Sequence, residues 1–241
     1  MFDHVTIRVS DRAASERFYD TVLATMGLEA RRAGRYTEWG DYSIAEATDG
    51  EAVTRGLHVA FFAPSHELVD EFWRAGTEAG YRDDGAPGPR PRYRTDYYGA
   101  FLLDPDGNSI EAVHHGLERE RGHIDHLWIR VADLAASRRF YETIAPPAGL
   151  RRVNVLKKRV HFAGAKSSFG LVDGERRTEP FHLAFPAADD GTVREFHRAA
   201  MEAGYRDNGA PGERSEYHAG YYGAFVLDPD GNNVEVVNHN R

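Results

Sequence analysis

The chain contains no cysteine in 241 residues. Disulfides, thiolate metal ligands and cysteine nucleophiles are thereby excluded, and the absence fits a cytoplasmic location. Long apolar runs are missing too. No stretch approaches the roughly 20 residues of a membrane-spanning helix, so no membrane partner is expected. Met1 leads almost directly into a strand-like segment, which leaves no room for a secretory leader. Positive charge is in deficit: 30 Lys and Arg against 38 Asp and Glu give a formal charge of −8. Nucleic-acid binding needs a basic face, and this balance argues against it. Gly-rich phosphate loops, nucleophile elbows and helical zinc-protease motifs are also absent. What is present is a globular composition, 41% hydrophobic and 12% aromatic, sufficient for a real core.

The chain repeats itself. "FDHVTIRVSDRAASERFYDT" returns as "IDHLWIRVADLAASRRFYET", "AGYRDDGAPG" as "AGYRDNGAPG", and "YYGAFLLDPDGNSIEAV" as "YYGAFVLDPDGNNVEVV". The first pair is offset by 122 positions and the later pairs by 124, so the second copy carries two extra residues between Leu150 and His182. Each copy has a normal length for a small domain. The expected organisation is a first domain over 1–115, a solvated Glu- and Arg-rich linker over 116–123, and a second domain over 124–241.

The repeat carries a repeated set of potential metal ligands. His4, His58 and Glu111 correspond to His126, His182 and Glu235, and in both copies the second histidine precedes the glutamate by 53 positions. Two histidines and one carboxylate make a facial metal site with open positions. Chain order groups them as His4–His58–Glu111 and His126–His182–Glu235, one centre per copy.

Periodicity places these residues on strands. Residues 4–9 alternate, with Val5, Ile7 and Val9 on one face and His4, Thr6 and Arg8 on the other. Asp11 caps a helix carrying Phe18, Val22 and Leu23. Short strand-like pieces follow at Tyr36–Trp39 and 42–47. The alternation restarts with Leu57, Val59 and Phe61 opposite His58. A second helix, from Ser65 to Ala79, carries Leu68, Val69, Phe72 and Trp73 as its apolar stripe and stops at Gly80. A hairpin then joins 97–103 to 108–114. In its turn Asp104 accepts local backbone bonds, Pro105 pre-sets φ and Gly107 permits positive φ. Each copy reads β-α-β-β-β twice. The fold class is α+β, two tandem domains each of paired βαβββ modules. Helices on the convex face of each sheet would leave the ligands in a concave cup.

The "DH" openings at His4 and His126, the "GLHVAF" and "PFHLAF" strands and the "YYGAF…LDPDGN…E" hairpins resemble the vicinal oxygen chelate superfamily. That superfamily includes glyoxalase I, extradiol dioxygenases and bleomycin-resistance proteins. The resemblance covers nearly the whole chain, which looks like two single-domain bacterial glyoxalase-like proteins fused head to tail. It implies a divalent ion (Fe, Mn, Ni, Zn or Co) in each cup, chelated by substrate oxygens and used to polarise substrate, stabilise an enolate or activate dioxygen. Glyoxalase-like sites resemble a four-ligand arrangement, and Glu46 lies near the place of the extra acidic ligand; its counterpart is Gly170. Ring-cleaving relatives carry a tyrosine on the hairpin where this chain has Phe101 and Phe225. His218, whose counterpart is Arg94, is the candidate acid/base. Tyr97, Tyr98, Tyr221 and Tyr222 offer an aromatic wall, of which Tyr98 and Tyr222 complete the expected catalytic set. Arg8 and Arg130 share the face of the first histidines and read as internal ion pairs or carboxylate binders. His115 and His239 read as outer-sphere or surface groups.

The expected function is a metal-dependent enzyme on a small oxygenated molecule that chelates the ion through two oxygens, a glyoxalase-like isomerase or lyase. The alternatives are a non-haem Fe(II) extradiol-type dioxygenase and a non-catalytic antibiotic-sequestering protein. No organic cofactor is expected. The partner is a small-molecule substrate, and the assembly is a pseudo-dimeric monomer or a homodimer. Chain order puts Thr6, Glu46 and Arg94 in the first pocket and Trp128, Gly170 and His218 in the second. The pockets are then unequal, with the second favoured for the main chemistry.

Overall fold

The computed structural model describes residues 1–116, 122–164, 167–174 and 176–240; most of the expected linker lies outside them. The first copy runs β1 (His4–Val9), α1 (Arg12–Leu23), β2 (Arg31–Ala33), β3 (Tyr36–Trp39), β4 (Tyr42–Glu46), β5 (His58–Phe62), α2 (His66–Glu78), β6 (Arg82–Pro89), β7 (Tyr98–Leu103) and β8 (Ser109–His114). The second runs β9 (Ile124–Val131), α3 (Leu134–Ile144), β10 (Arg151–Leu156), β11 (Arg159–Ala163), β12 (Ser168–Asp173), β13 (His182–Pro186), α4 (Asp190–Glu202), β14 (Arg206–Glu213), β15 (Tyr222–Leu227) and β16 (Asn233–Asn238). This is the paired βαβββ pattern, an α+β fold.

Local chemistry sets the element ends. The Asp11 carboxylate accepts from Ala14 N at 2.9 Å and the Ser65 hydroxyl from Leu68 N at 3.4 Å, satisfying amides that a helix start leaves open. Helix α1 buries Phe18, Tyr19, Val22 and Leu23, and α2 buries Val69, Phe72 and Gly76. Trp73 is half-buried because its indole N–H donates to Asp83 at 2.9 Å. The β7–β8 turn is locked by Asp104, which accepts from Asp106 N, Asn108 N and the Tyr19 hydroxyl at 3.0, 2.8 and 2.8 Å. Gly107 there has φ +84°. The two extra residues of the second copy fall in a region whose β10 is six residues long and wholly exposed, where β2 has three.

The strands form two eight-stranded sheets, ordered β14-β15-β16-β13-β1-β4-β3-β2 and β10-β11-β12-β9-β5-β8-β7-β6. Contacts divide the chain into two compact units, Thr6–Trp128 and Met1–Val5 with Ile129–Arg241. These differ from the sequence copies at the opening strands. In the Thr6–Trp128 unit the start of β9 pairs antiparallel with β5, Ala60 opposite His126 and His58 opposite Trp128. In the other unit Asp3 N donates to Ala184 O at 2.9 Å, laying the start of the chain beside β13. Backbone donors and acceptors must find partners, and each opening strand finds them along one edge on the copy it does not begin and along the other edge on its own copy.

Candidate metal centres

In the Thr6–Trp128 unit three adjacent strands converge on one point. β5 runs parallel to β8, with Ala60 level with Glu111, and antiparallel to β9, with Ala60 level with His126. Level neighbours project to the same sheet face, as does His58, two residues from Ala60. Glu111 and His126 therefore flank His58, and the small Ala60 leaves the space between them open. His58 Nε2 lies 3.0 Å from Glu111 Oε2 and 3.3 Å from His126 Nε2, and His126 Nε2 lies 3.5 Å from Glu111 Oε2. The other unit repeats this with β13, β16 and β1. His182 Nε2 lies 3.0 Å from both Glu235 Oε2 and His4 Nε2, and His4 Nε2 lies 3.7 Å from Glu235 Oε2.

These triangles match an ion's donor spacing. Three donors at roughly 2.1 Å from a metal stand roughly 3.0 Å apart in octahedral and roughly 3.4 Å apart in tetrahedral geometry. Among the described residues these are the two groups of three or more His, Asp and Glu donors that converge in this way.

The grouping corrects the one expected from chain order. His126 joins His58 and Glu111, and His4 joins His182 and Glu235. The reason is the exchanged pairing of the opening strands. It also moves Trp128, expected in the second pocket, to the strand position opposite His58.

Outer contacts orient the ligands. The Nδ1 atoms of His4 and His126 lie 2.8 Å from the carboxylates of Asp3 and Asp125, leaving Nε2 for the ion site. Glu111 and Glu235 are 1% exposed, and each Oε1 accepts from a tyrosine hydroxyl, Tyr97 and Tyr221, at 2.6 Å. A Cβ at Gly99 would stand 2.6 Å from Glu111 Oε1, and one at Gly223 2.7 Å from Glu235 Oε1, so each glycine keeps room for its carboxylate. Burial opposes ionisation of Glu111, yet His126 and His58 hold its carboxyl below the usual range. Burial likewise opposes charge on His126, but Asp125 and Glu111 push it up to about 9. Burial and the neighbouring glutamate push the Tyr97 and Tyr221 phenols up, so both stay protonated donors.

Several candidates lie elsewhere. Tyr98 and Tyr222 do not reach either centre. The Tyr98 hydroxyl donates to Asp70 on α2 at 2.8 Å, and Tyr222 carries the Arg194 guanidinium of α4 over its ring. They are one residue out of phase with the ligand face, which Tyr97 and Tyr221 share. Since Phe101 stands opposite Glu111, odd-numbered β7 positions face the site, and that parity was the signal for Tyr97. Glu46 is exposed at the end of β4 and joins neither cluster. Arg8 pairs with Glu51 at 3.3 Å. His218 stands behind a ligand: its Nε2 lies 2.8 Å from His239 Nδ1, and His239 Nε2 lies 2.8 Å from Asp3. His115 likewise lies 2.6 Å from Asp125, but Arg94 replaces His218 and binds Asp96.

A model of the Glyoxalase/Bleomycin resistance protein/Dioxygenase superfamily matches residues 1–112 and 123–236. The chain belongs to that superfamily. The structure is similar to glyoxalase I from Zea mays, with TM-score 0.69 at 20% identity, covering 99% of this chain and 92% of that one. A glyoxalase/bleomycin resistance protein from Albidiferax ferrireducens T118 is 34% identical over 47% of this chain and 98% of its own, with TM-score 0.44. The Mn(II)-bound glyoxalase from Novosphingobium aromaticivorans is 17% identical, covering 100% of this chain and 82% of that one, with TM-score 0.44. Curated proteins yield no match. No helix among the described residues is long and apolar enough to cross a membrane.

Proposed function

We propose that this superfamily member is a metal-dependent enzyme acting on a small oxygenated molecule, in the manner of a glyoxalase-like isomerase or lyase. The observation that carries this reading is the pair of two-histidine, one-carboxylate triangles, each with donor spacings suited to a divalent ion. His58, Glu111 and His126 would hold one ion, and His182, Glu235 and His4 the other. A bound ion supplies Lewis-acid polarisation of two chelating substrate oxygens. The chain supplies the rest. Tyr97 and Tyr221 fix the carboxylates, Asp3 and Asp125 fix the imidazoles, and Phe101 and Phe225 stand beside His58 and His182 with ring centroids 6.0 and 6.2 Å away. Arg90 and Arg214 lie over those phenylalanines at 5.5 Å, and neither guanidinium has a carboxylate partner among the described residues, which suits an anionic substrate.

A second reading, a non-haem Fe(II) dioxygenase, is favoured by one observation: with Glu46 elsewhere, each cluster has three protein donors, the facial triad that leaves positions for substrate and oxygen. Metal analysis of protein purified without added metal, with oxygen uptake measured alongside, separates the readings. Nickel, zinc, cobalt or manganese without oxygen consumption supports the isomerase or lyase, and iron with consumption supports the dioxygenase. Protein that takes up no metal would leave only the sequestering role.

A further inference from the structure

Two nearly identical pairs of segments build the two centres, and their polar differences meet. "AGYRDDGAPG" and "AGYRDNGAPG" differ only at Asp84 and Asn208, and the final hairpins have two polar differences: His114 against Asn238 at their ends, which bond to Ala63 O and Asp190, and Ser109 against Asn233 beside the central histidines. In the Thr6–Trp128 unit Ser109 Oγ lies 2.8 Å from Asp84 Oδ2 and 3.2 Å from His58 Nδ1. In the other unit Asn208 Nδ2 lies 2.9 Å from Asn233 Oδ1, and Asn233 Nδ2 lies 2.8 Å from His182 Nδ1. Both chains end on the Nδ1 of the central histidine, whose Nε2 faces the ion site.

Donor and acceptor accounting makes the chains unequal. A carboxylate only accepts, so the single Ser109 O–H goes to Asp84 and Ser109 offers His58 lone pairs alone. His58 Nδ1 then carries a proton, and in the neutral ring Nε2 is bare, as metal ligation requires. The amide chain runs the other way. Asn208 donates to Asn233, and the Asn233 N–H donates to a bare His182 Nδ1. The neutral His182 ring then carries its proton on Nε2, where an ion would bind. Ligation there needs both amides to turn over, presenting Asn233 Oδ1 to a His182 Nδ1–H.

We infer that Asp84 and Ser109 are positioning residues that lock His58 in its metal-ready tautomer, making the centre of the Thr6–Trp128 unit the preorganised and tighter one. Asn208 and Asn233 make the other centre one that must switch on binding. The inference rests on the metal reading above. Outer partners of metal-bound histidines typically change affinity 10–100-fold, which sets the size of the expected difference.

Two measurements on the full chain test it. Nitrogen-15 NMR of the imidazoles in metal-free protein, assigned with single His→Gln variants, reports which ring nitrogens carry protons. His58 Nδ1 should be protonated and His182 Nδ1 bare, and the double variant Asp84→Asn, Ser109→Asn should strip the proton from His58 Nδ1. Calorimetric titration with Zn(II) should resolve two affinities. That double variant should weaken the tighter step roughly 10–100-fold, and Asn208→Asp with Asn233→Ser should strengthen the weaker one. Melting curves of the metal-free variants check that folding is unchanged. The same Nδ1 state in both rings, or zinc affinities that neither exchange moves, overturns the inference. If zinc binds at neither centre the metal reading fails, and the nitrogen spectra still decide the tautomer assignment.

Discussion

In the Thr6–Trp128 unit, the candidate ligand His126 is backed by Asp125 and then by buried His115, whose inner ring nitrogen has no hydrogen-bond partner among the described residues. In the other unit, ligand His4 is backed by Asp3, then His239, then half-exposed His218. The donor triangles and the tyrosine clamps are the same. The units diverge only one or two residues further out, at Arg94 against His218, Asp84 against Asn208 and Ser109 against Asn233. The two copies keep the candidate donors and their tyrosine partners and differ in what surrounds them, so a functional difference between the centres would come from those surroundings.

The comparison breaks most visibly at the exchanged histidines. His58→Ala and His126→Ala should each empty the same centre, weakening its ion by at least about 100-fold, more than an outer-sphere change does. The double variant His58→Ala, His126→Ala should still hold one equivalent of zinc, while His58→Ala, His4→Ala should hold none. Elemental analysis of desalted protein decides it. One retained equivalent in the second double variant would restore the grouping given by chain order.

That test targets the feature the sequence could not reveal. His58 with Glu111, and His182 with Glu235, were legible because a constant spacing of 53 residues ties each pair to one module. The third ligand was not, because His4 and His126 sit in strands with the same alternation. Which β-edge receives each strand is decided by long-range pairing, on which local pattern is silent. The helices were legible from their caps and apolar stripes, and the β7–β8 turn from Asp104, Pro105 and Gly107. Tyr98 was mistaken for Tyr97 because two adjacent tyrosines are distinguished only by register, and that register is set by Phe101 standing opposite Glu111.

A smaller effect follows from the glycines behind the carboxylates. Gly99→Ala would place a Cβ 2.6 Å from Glu111 Oε1 and 3.2 Å from the Tyr97 ring, against a strand that has little room to yield. Overpacking should cost about 1–3 kcal/mol in urea unfolding and turn the carboxylate, weakening zinc roughly 10-fold at that centre alone. Gly223→Ala should do the same at the other. Zinc affinities that change together would show that the centres are coupled rather than independent.

The tyrosines sharpen the comparison within one strand. Tyr97→Phe removes the donor to Glu111 Oε1 and leaves a buried carboxylate oxygen short of a partner, at a cost of about 1–3 kcal/mol. Zinc affinity should fall up to roughly 10-fold. Tyr98→Phe removes only an exposed hydrogen bond to Asp70. It should change stability by less than about 0.5 kcal/mol and leave zinc binding alone. Equal effects from the two would refute the assignment of facing residues.

The smallest effect concerns Arg8, which lies on the histidine-bearing face of β1 and is held by Glu51. The Glu51 carboxylate accepts from Thr48 N and Thr48 Oγ1 at 2.8 and 2.7 Å, and takes Arg35 at 2.9 Å and Arg8 at 3.3 Å. The Thr48 bonds first, then the arginines, lower its carboxyl to about 2. A carboxyl lowered on folding adds stability that is complete above its unfolded value near 4.5 and is lost as pH falls toward 2. Solvent reaches a good part of this cluster, so the contribution is about 1 kcal/mol rather than the full linkage value. Glu51→Gln should therefore lower the urea midpoint at pH 7, and its effect should shrink steadily below about pH 4.5 and nearly vanish as pH reaches about 2. A Glu51→Gln deficit that stays undiminished from pH 7 to pH 2 would mean that packing, not the ion pair, holds this segment in place.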